Sequence, residues 1–255
     1  MIYLAIAILS VFLGSFYNVC IHRILREESV IYPPSHCPDC GHSLGPLDLV
    51  PVFSYVFLMG RCRYCKARIS PRYPLVEVLT SITYLLLYKV FGLSWSLVAY
   101  SFFLGVLIII TFIDIEYQII PNSLILLGLI FGILFGAINI TTGIVDALLG
   151  LVIGFGSLLV IAILAKVFIG KEGMGGGDIK LLGVIGLFLG WKLTLLTLIL
   201  SIYIGGVFSI LLLLLKIKKR GEYIPFGPFI SLAGLIALLW GNSIIQWYVG
   251  ISFPI

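Results

Sequence analysis

The chain has 255 residues, of which 61% are hydrophobic and 11% are charged, and its mean hydropathy is +1.20. This composition excludes an ordinary soluble domain. The formal net charge of +5 does not call for a nucleic acid partner, because the cytoplasmic loops of membrane proteins accumulate Lys and Arg.

Eight apolar segments predict an all-α, polytopic membrane protein with about eight transmembrane helices. Most of the segments have about 17 to 22 residues, enough to cross a hydrocarbon core of about 30 Å. The predicted transmembrane helices, of which the sixth is short, are residues 2–20, 75–92, 96–113, 123–140, 146–168, 180–190, 194–215 and 228–248. The chain is thereby divided into a first transmembrane helix (1–20), a cytoplasmic loop (21–74) and a membrane helical domain (75–255).

The basic residues predict the orientation of these helices. No Lys or Arg precedes the first apolar segment, so it does not resemble a cleavable signal, and His22 and Arg23 follow it. The N-terminus is therefore predicted to lie outside. With that orientation every Lys and Arg except Lys89 and Lys192 falls on the cytoplasmic side, as the positive-inside rule requires.

The cytoplasmic loop contains two C-x2-C pairs, formed by Cys37 with Cys40 and by Cys62 with Cys65. Four thiolates at this spacing are typical of a structural zinc site, which leaves no open coordination position. Two disulfides are the alternative, but a loop in the reducing cytoplasm favours zinc. The loop is too short to build a large core, so it is expected to need a staple, a metal or support from the membrane helices. Cys20 is predicted to be a buried apolar side chain.

Three carboxylates lie beside or within apolar segments. Asp114 ends an apolar run, Asp178 follows a glycine cluster just before the sixth predicted helix, and Glu77 lies just inside the second. Placing an ionisable group at membrane depth costs at least a few kcal/mol, so such residues are candidates for function. The alternative is a carboxylate that extends toward the interface and pairs with a nearby Lys.

The predicted topology brings Asp114 and Asp178 to the same cytoplasmic face from different helices. Two carboxyl groups within hydrogen-bond reach share one proton, so that one activates water while the other protonates the carbonyl or leaving group. This is the chemistry of an aspartic protease.

The glycine-rich segment 173–183 contains Asp178. Glycines let a backbone approach closely, and an extended substrate peptide can then form main-chain hydrogen bonds as in strand addition. The alternative is a flexible turn between two helices. A phosphate-binding loop is disfavoured, because the segment lacks its spacing and its Lys-Ser or Lys-Thr ending.

Two motifs resemble the type IV prepilin peptidases. Residues 175–178 match the G-x-G-D element of intramembrane aspartic proteases, and residues 178–183 resemble its prepilin peptidase form. Asp114 stands before an Ile-Pro-Asn turn at 120–122, as the first aspartate of the family does.

The N-terminal half resembles the bifunctional members of this family, which cleave a prepilin leader and then methylate the new N-terminus. The resemblance rests on residues 14–23, on the four cysteines and on residues 72–77. The chain departs from the family pattern after Arg23, where a proline is usual and Ile24 stands instead.

The resemblance implies a bacterial inner-membrane enzyme that is both a leader peptidase and an S-adenosylmethionine-dependent N-methyltransferase. Its substrates would be the N-terminal segments of prepilins or pseudopilins, with the active site at the cytoplasmic face. The implied residues are Asp114 and Asp178 for catalysis, Gly175, Gly177 and Lys180 in the substrate loop, and Asn18, His22, Arg23, Arg72 and Glu77 as methyltransferase candidates.

Three other functions stay open at this point. A leader peptidase without methyltransferase activity is the nearest. A cation- or proton-coupled transporter would also use membrane carboxylates, but the hydropathy shows no two-fold repeat and both aspartates belong to one membrane face. A zinc-stapled scaffold would leave the acidic pair unexplained.

Overall fold

The structure is a computed structural model that describes residues 1–170, 174–219 and 222–252. The predicted cytoplasmic residues Lys171 and Arg220, and Gly173 of the glycine-rich segment, lie outside the described residues. The chain divides into two compact units, Met1–Leu93 and Ser94–Ile255. The predicted all-α membrane architecture is confirmed.

The first unit contains helices α1 (Ile2–Arg23), α2 (Phe53–Phe57) and α3 (Arg72–Phe91). Helices α1 and α3 pack closely at Gly14, where an added Cβ atom would lie 2.7 Å from the Cα atom of Glu77. Small residues permit this approach in membranes, where helices associate by packing rather than by a hydrophobic driving force. The unit thus pairs the first two predicted transmembrane helices with the loop between them.

The second unit contains the remaining helices. They are α4 (Trp95–Tyr117), α5 (Asn122–Ala137), α6 (Ile144–Ile169), α7 (Gly176–Leu214) and α8 (Gly227–Ser252). The side chain of Ser94 caps α4 by accepting a hydrogen bond from the N–H of Leu97, which satisfies one of the free donors at a helix start. Pro121 directly precedes α5, where its missing N–H costs no helical hydrogen bond.

Helix α7 is interrupted at Gly190, whose φ of 73° and ψ of 171° are not helical. An added Cβ atom at Gly154 would lie 2.5 Å from the carbonyl oxygen of Leu182 and 3.0 Å from Cγ2 of Thr194. Twelve residues of straight helix would separate Leu182 and Thr194 by about 18 Å. The chain therefore folds back at Gly190, and the two halves of α7 correspond to the sixth and seventh predicted helices.

Among the described residues, six helices are long and apolar enough to cross a membrane, and α5 is apolar but shorter. The eight predicted segments therefore correspond to α1, α3, α4, α5, α6, the two halves of α7, and α8. The start of the sixth predicted helix differs from the prediction, and this changes the position of Asp178. Helix α7 begins at Gly176 rather than near residue 180, so Asp178 lies in its first turn and not in the preceding loop.

Candidate active site and metal centre

Asp114 lies in the last turn of α4 and is only 2% exposed. The helix ends because Gln118 adopts a left-handed conformation, with φ of 57°, and its N–H donates to the carbonyl of Asp114. A left-handed residue after a helix satisfies one of the final carbonyl groups. The carboxyl group is thus held at the end of a helix rather than in a mobile loop.

Asp178 lies in the first turn of α7 and is only 3% exposed. An added Cβ atom at Gly175 would lie 3.3 Å from Oδ2 of Asp178, and one at Gly177 would lie 2.9 Å from Cβ of Ile120. The two glycines therefore leave space for the carboxyl group on one side and for the Ile120 side chain on the other. These contacts give a steric reason for glycine at both positions, and the predicted role of the two glycines in the substrate loop stays a prediction.

Gly227 joins this site from the first turn of α8, and the sequence did not single it out. Its N–H donates to Oδ2 of Asp114 over 3.0 Å, and an added Cβ atom there would lie 2.7 Å from the same oxygen. The N–H of a first-turn residue has no partner within its own helix. The only hint of Gly227 in the sequence was its place between two prolines, Pro225 and Pro228, just before the last apolar segment.

The two carboxyl groups belong to one site. The Ile120 side chain contacts the positions that Cβ atoms would occupy at both Gly177, the neighbour of Asp178, and Gly227, whose N–H donates to Asp114. Neither Asp114 nor Asp178 forms an ion pair with any Lys or Arg that the structure describes. Among the residues that the structure describes, the alternative of an aspartate paired with a nearby Lys is therefore not seen.

Tyr223, in the connection between α7 and α8, also reaches this site. Its hydroxyl lies 3.9 Å from the position of an added Cβ atom on Gly175. Partial burial raises the pKa of the Tyr223 phenol, and the negative charges of Asp178 and Asp114 raise it further. The phenol is therefore a neutral hydrogen-bond donor beside the carboxyl pair.

Lys180 connects the two predicted motifs. Its Nζ atom donates to Oδ1 of Asn122 over 2.9 Å, which ties the second turn of α7 to the first turn of α5. This contact places the Ile-Pro-Asn turn beside the glycine-rich segment, at the end of the unit that holds both aspartates.

The four cysteines of the loop form a compact cluster. Their Sγ atoms all lie within 4.8 Å of one another, and those of Cys37 and Cys65 are 3.8 Å apart. Tetrahedral zinc with Zn–S bonds of about 2.3 Å requires neighbouring sulfur atoms about 3.8 Å apart. The cluster therefore has the dimensions of a four-thiolate metal site, and Cys20 lies outside it, buried on α1.

Both cysteine pairs lie in the same kind of turn. In the second, the N–H of Cys62 donates to the carbonyl of Ala67, and the N–H of Lys66 donates to the carbonyl of Cys62; the first repeats this pattern at Cys37 and Gly41. Gly41 and Lys66 both have positive φ, at 69° and 63°. Backbone N–H groups of Cys65 and Tyr64 lower the pKa of Cys62, whereas desolvation and hydrogen bonds to the neighbouring thiols raise the pKa of Cys65.

Two of the methyltransferase candidates, Asn18 and Glu77, lie on the facing helices of the first unit. Oε2 of Glu77, which is buried on α3, accepts the N–H of Val52 over 2.7 Å. Nδ2 of Asn18 donates to the carbonyl of Tyr73, while its buried Oδ1 has no hydrogen-bond partner among the described residues. Asn18 and Glu77 lie on the two helices that meet at Gly14.

Arg23 is buried and donates to the carbonyl oxygens of Ser29 and Pro33, each over 2.8 Å. These bonds fix the chain that leaves α1, so the contacts of Arg23 are structural.

The Arg72 guanidinium lies 5.4 Å from the ring centroid of Tyr73. His22 is half-buried in the last turn of α1. Asn18 thus contacts α3 one turn before Glu77, whereas Arg23 bonds to the chain that follows α1.

A helical membrane protein with two buried carboxyl groups at one end of its helices has the constellation of an intramembrane aspartic protease. The family described as "Bacterial Peptidase A24 N-terminal domain" matches residues 8–91, and "Type IV leader peptidase family" matches residues 101–210. The chain belongs to the prepilin leader peptidase/N-methyltransferase family. The predicted resemblance is therefore confirmed.

Three relatives illustrate the similarity. The "Prepilin leader peptidase/N-methyltransferase" of Aeromonas salmonicida (strain A449) is 37% identical over 94% of this chain and 91% of its own length. The protein of that name from Pseudomonas aeruginosa is 36% identical over 95% and 91%, and the one from Bacillus subtilis (strain 168) is 35% identical over 95% and 96%. No solved structure matches the chain.

Proposed function

We propose that this chain removes the basic leader peptide from type IV prepilins or pseudopilins and then methylates the new N-terminal amine. The observation that carries the cleavage is the pair of buried carboxyl groups of Asp114 and Asp178, which the Ile120 side chain and Gly227 link into one site. To test the proposal, the purified enzyme is incubated with a prepilin and labelled S-adenosylmethionine. Mass spectrometry should show both leader loss and one added methyl group.

In the proposed cleavage the two carboxyl groups share one proton, so that one group acts as the base and the other as the acid. The ionised member takes a proton from a water molecule, whose oxygen attacks the scissile carbonyl carbon, while the protonated member gives its proton to the carbonyl oxygen. The tetrahedral intermediate then breaks its C–N bond as the leaving amine takes up a proton. The N–H of Gly227 fixes the orientation of the Asp114 carboxyl group during these steps.

Glycine at positions 175 and 177 accommodates the Asp178 carboxyl group and the Ile120 side chain, and the backbone of this segment is proposed to form main-chain hydrogen bonds with an extended peptide. A substrate helix anchored in the bilayer presents its leader junction at the membrane face. Lys180 holds the glycine-rich segment in place through Asn122. The active site is proposed to face the cytoplasm, with the N-terminus outside and the enzyme in the bacterial inner membrane, in accord with the basic loops.

Methyl transfer is proposed for the first unit. S-adenosylmethionine, when bound, supplies the methyl group. The acceptor amine must be neutral to attack, and Glu77 is the carboxylate proposed to take its proton. The free Oδ1 of Asn18 is a hydrogen-bond acceptor that fits an ammonium group in the donor or the peptide. His22, Arg23 and Arg72 remain candidates for positioning the donor carboxylate or the peptide.

Replacing Glu77 with Gln is expected to lower methylation and to leave cleavage largely unchanged. Gln keeps an oxygen that can accept the Val52 N–H, so the loop stays in place while the charge is lost. The two activities are measured separately on an intact and on an already cleaved prepilin. Glu28→Gln, at an exposed position of the same loop, serves as the control. Poor cleavage with normal methylation of the cleaved substrate would contradict this assignment.

The four-cysteine cluster is proposed to bind one structural zinc ion. Elemental analysis of the purified protein should give one zinc per chain. Replacing Cys62 with Ser should release the metal, because a hydroxyl is a poor substitute for one of four thiolates. Cys20→Ser, outside the cluster, should retain it. Protein that contains no stoichiometric metal but two disulfides would contradict the zinc site.

A further inference from the structure

Helix α2, in the loop of the first unit, has one polar and one apolar side. The hydroxyl of Tyr55 donates to the carbonyl of Ile69, and its ring lies against Gly60, so this side faces the rest of the loop. Phe53, Val56 and Phe57 occupy positions i, i+3 and i+4, which share one face of a helix. They form the opposite side.

The apolar face of α2 is defined here as Phe53, Val56 and Phe57 together with Met59, which follows the helix. Their exposed fractions are 63%, 66%, 79% and 85%. Four large apolar side chains exposed on so short a segment form a contiguous patch, and such patches mark contact surfaces. Isolated exposed apolar residues need no such explanation.

The start of α2 is hydrogen-bonded to the transmembrane helix α3. Val52 has φ of 62° and ψ of −52°, and the N–H of Phe53 donates to the carbonyl of Pro51 over 2.6 Å. This is a tight turn with positive φ at a β-branched residue, a strained conformation. The N–H of Val52 donates to Glu77, in the second turn of α3. Helix α2 therefore begins beside the end of a membrane helix and not far out in the cytoplasm.

A basic segment follows the apolar face. Residues 61–68 contain four Lys and Arg residues and no acidic residue. Arg63 pairs with Asp48, whereas Arg61, Lys66 and Arg68 have no carboxylate partner in the described part of the chain. Juxtamembrane Lys and Arg residues are attracted to anionic lipid headgroups.

We infer that the apolar face of α2 inserts into the boundary between headgroups and acyl chains of the bilayer that α1 and α3 cross, while the basic segment contacts anionic headgroups. This is the arrangement of an interfacial amphipathic helix, whose binding combines apolar burial with electrostatic attraction. The partner is an anionic lipid surface, and the inference does not depend on the proposed catalytic activities.

The test places a small fluorescent amino acid, dansylalanine, at position 57 of the full chain, and at position 53 in a second variant. The zinc-loaded protein is reconstituted into phosphatidylglycerol nanodiscs that contain lipids with a quencher near the top of the acyl chain. Quenching of at least about two-fold is expected at both positions, because the apolar face of an interfacial helix is buried about 5–10 Å into the boundary of headgroups and acyl chains, where the quencher lies. The same label at Asp39, exposed in the first cysteine turn, should be quenched less.

Aqueous iodide distinguishes the other possible environments. If iodide quenches the label at position 57 and the lipid quencher does not, the face lies in water. If neither quencher acts, another part of the protein or a second copy covers it. Each of these results overturns the inference, as does equal lipid quenching at positions 57 and 39. Replacing phosphatidylglycerol with phosphatidylcholine should reduce the lipid quenching, because the basic segment then has no anionic partner.

Discussion

Asp114→Asn and Asp178→Asn are each expected to lower kcat/KM for leader cleavage by at least about 10²-fold, because each removes one half of an acid–base pair. Asn is nearly isosteric with Asp and keeps a hydrogen-bond acceptor, so the N–H of Gly227 still has a partner in the first variant. Cleavage is measured on a purified prepilin by the change in substrate mass. For the wild-type enzyme, cleavage should fall at both acidic and alkaline pH, because only the singly protonated pair is active.

Asp146→Asn provides a matched control for this pair. Asp146 lies in the first turn of α6 and its carboxyl group contacts Gly190, where α7 folds back, rather than the site of Asp114. It is therefore the same substitution in the same unit at a distance from the proposed chemistry. Wild-type cleavage by either Asp114→Asn or Asp178→Asn would rule out the acid–base pair, and equal loss in all three variants would indicate a general effect on folding.

The elements of this fold that could be predicted are those with a local signal. An apolar run of sufficient length predicts a membrane helix, and a carboxylate that ends such a run is conspicuous, which is why Asp114 was identified. The cysteine pairs were identified by their spacing. Family membership and the enzyme class were likewise predicted and are confirmed by the comparisons. The assignments of individual site residues remain predictions.

The features that could not be predicted depend on contacts between distant segments. Gly227 takes part through its backbone N–H, which every residue except proline has, so its side chain carries no signal. Tyr223 lies in a loop, and only the fold shows that it faces the aspartates. Arg23 was predicted as a candidate for positioning donor or peptide because of its place in a motif. Its bonds to Ser29 and Pro33 could be seen only in the folded loop.

The start of helix α7 also could not be predicted from the local sequence. It was predicted near residue 180, after three consecutive glycines, and glycine has a low intrinsic preference for a helix. In the structure the glycines begin the helix instead. Close approach to Ile120 at Gly177 is a tertiary contact that outweighs this weak local preference. As a result Asp178 is held by a helix turn and not by a loop.

Gly227→Ala is expected to reduce leader cleavage by about 10²-fold, although it alters neither aspartate, because a displacement of about 1 Å in a catalytic group has this effect. The added Cβ atom would lie 2.7 Å from Oδ2 of Asp114 and 3.3 Å from Cδ1 of Ile120. Real contacts are not that short, so either the carboxyl group rotates or the start of α8 moves away. Both changes break the hydrogen bond that the Gly227 N–H donates to Asp114. The reduction should therefore appear in kcat more than in KM, since the contact with Asp114 acts on the reacting groups and not on the bound helix of the substrate.

Gly234→Ala and Gly250→Ala separate this effect from a general change in α8. An added Cβ atom at Gly234 would make ordinary contacts of 3.5 Å or more, and at Gly250 it would meet open space. Both variants should cleave a prepilin at the wild-type rate, and all three should retain the wild-type unfolding temperature and methylate an already cleaved substrate. Loss of methylation in Gly227→Ala would indicate damage beyond the aspartate pair. Cleavage by Gly227→Ala at the rate of the two controls would show that the hydrogen bond to Asp114 does not orient the catalytic carboxyl group.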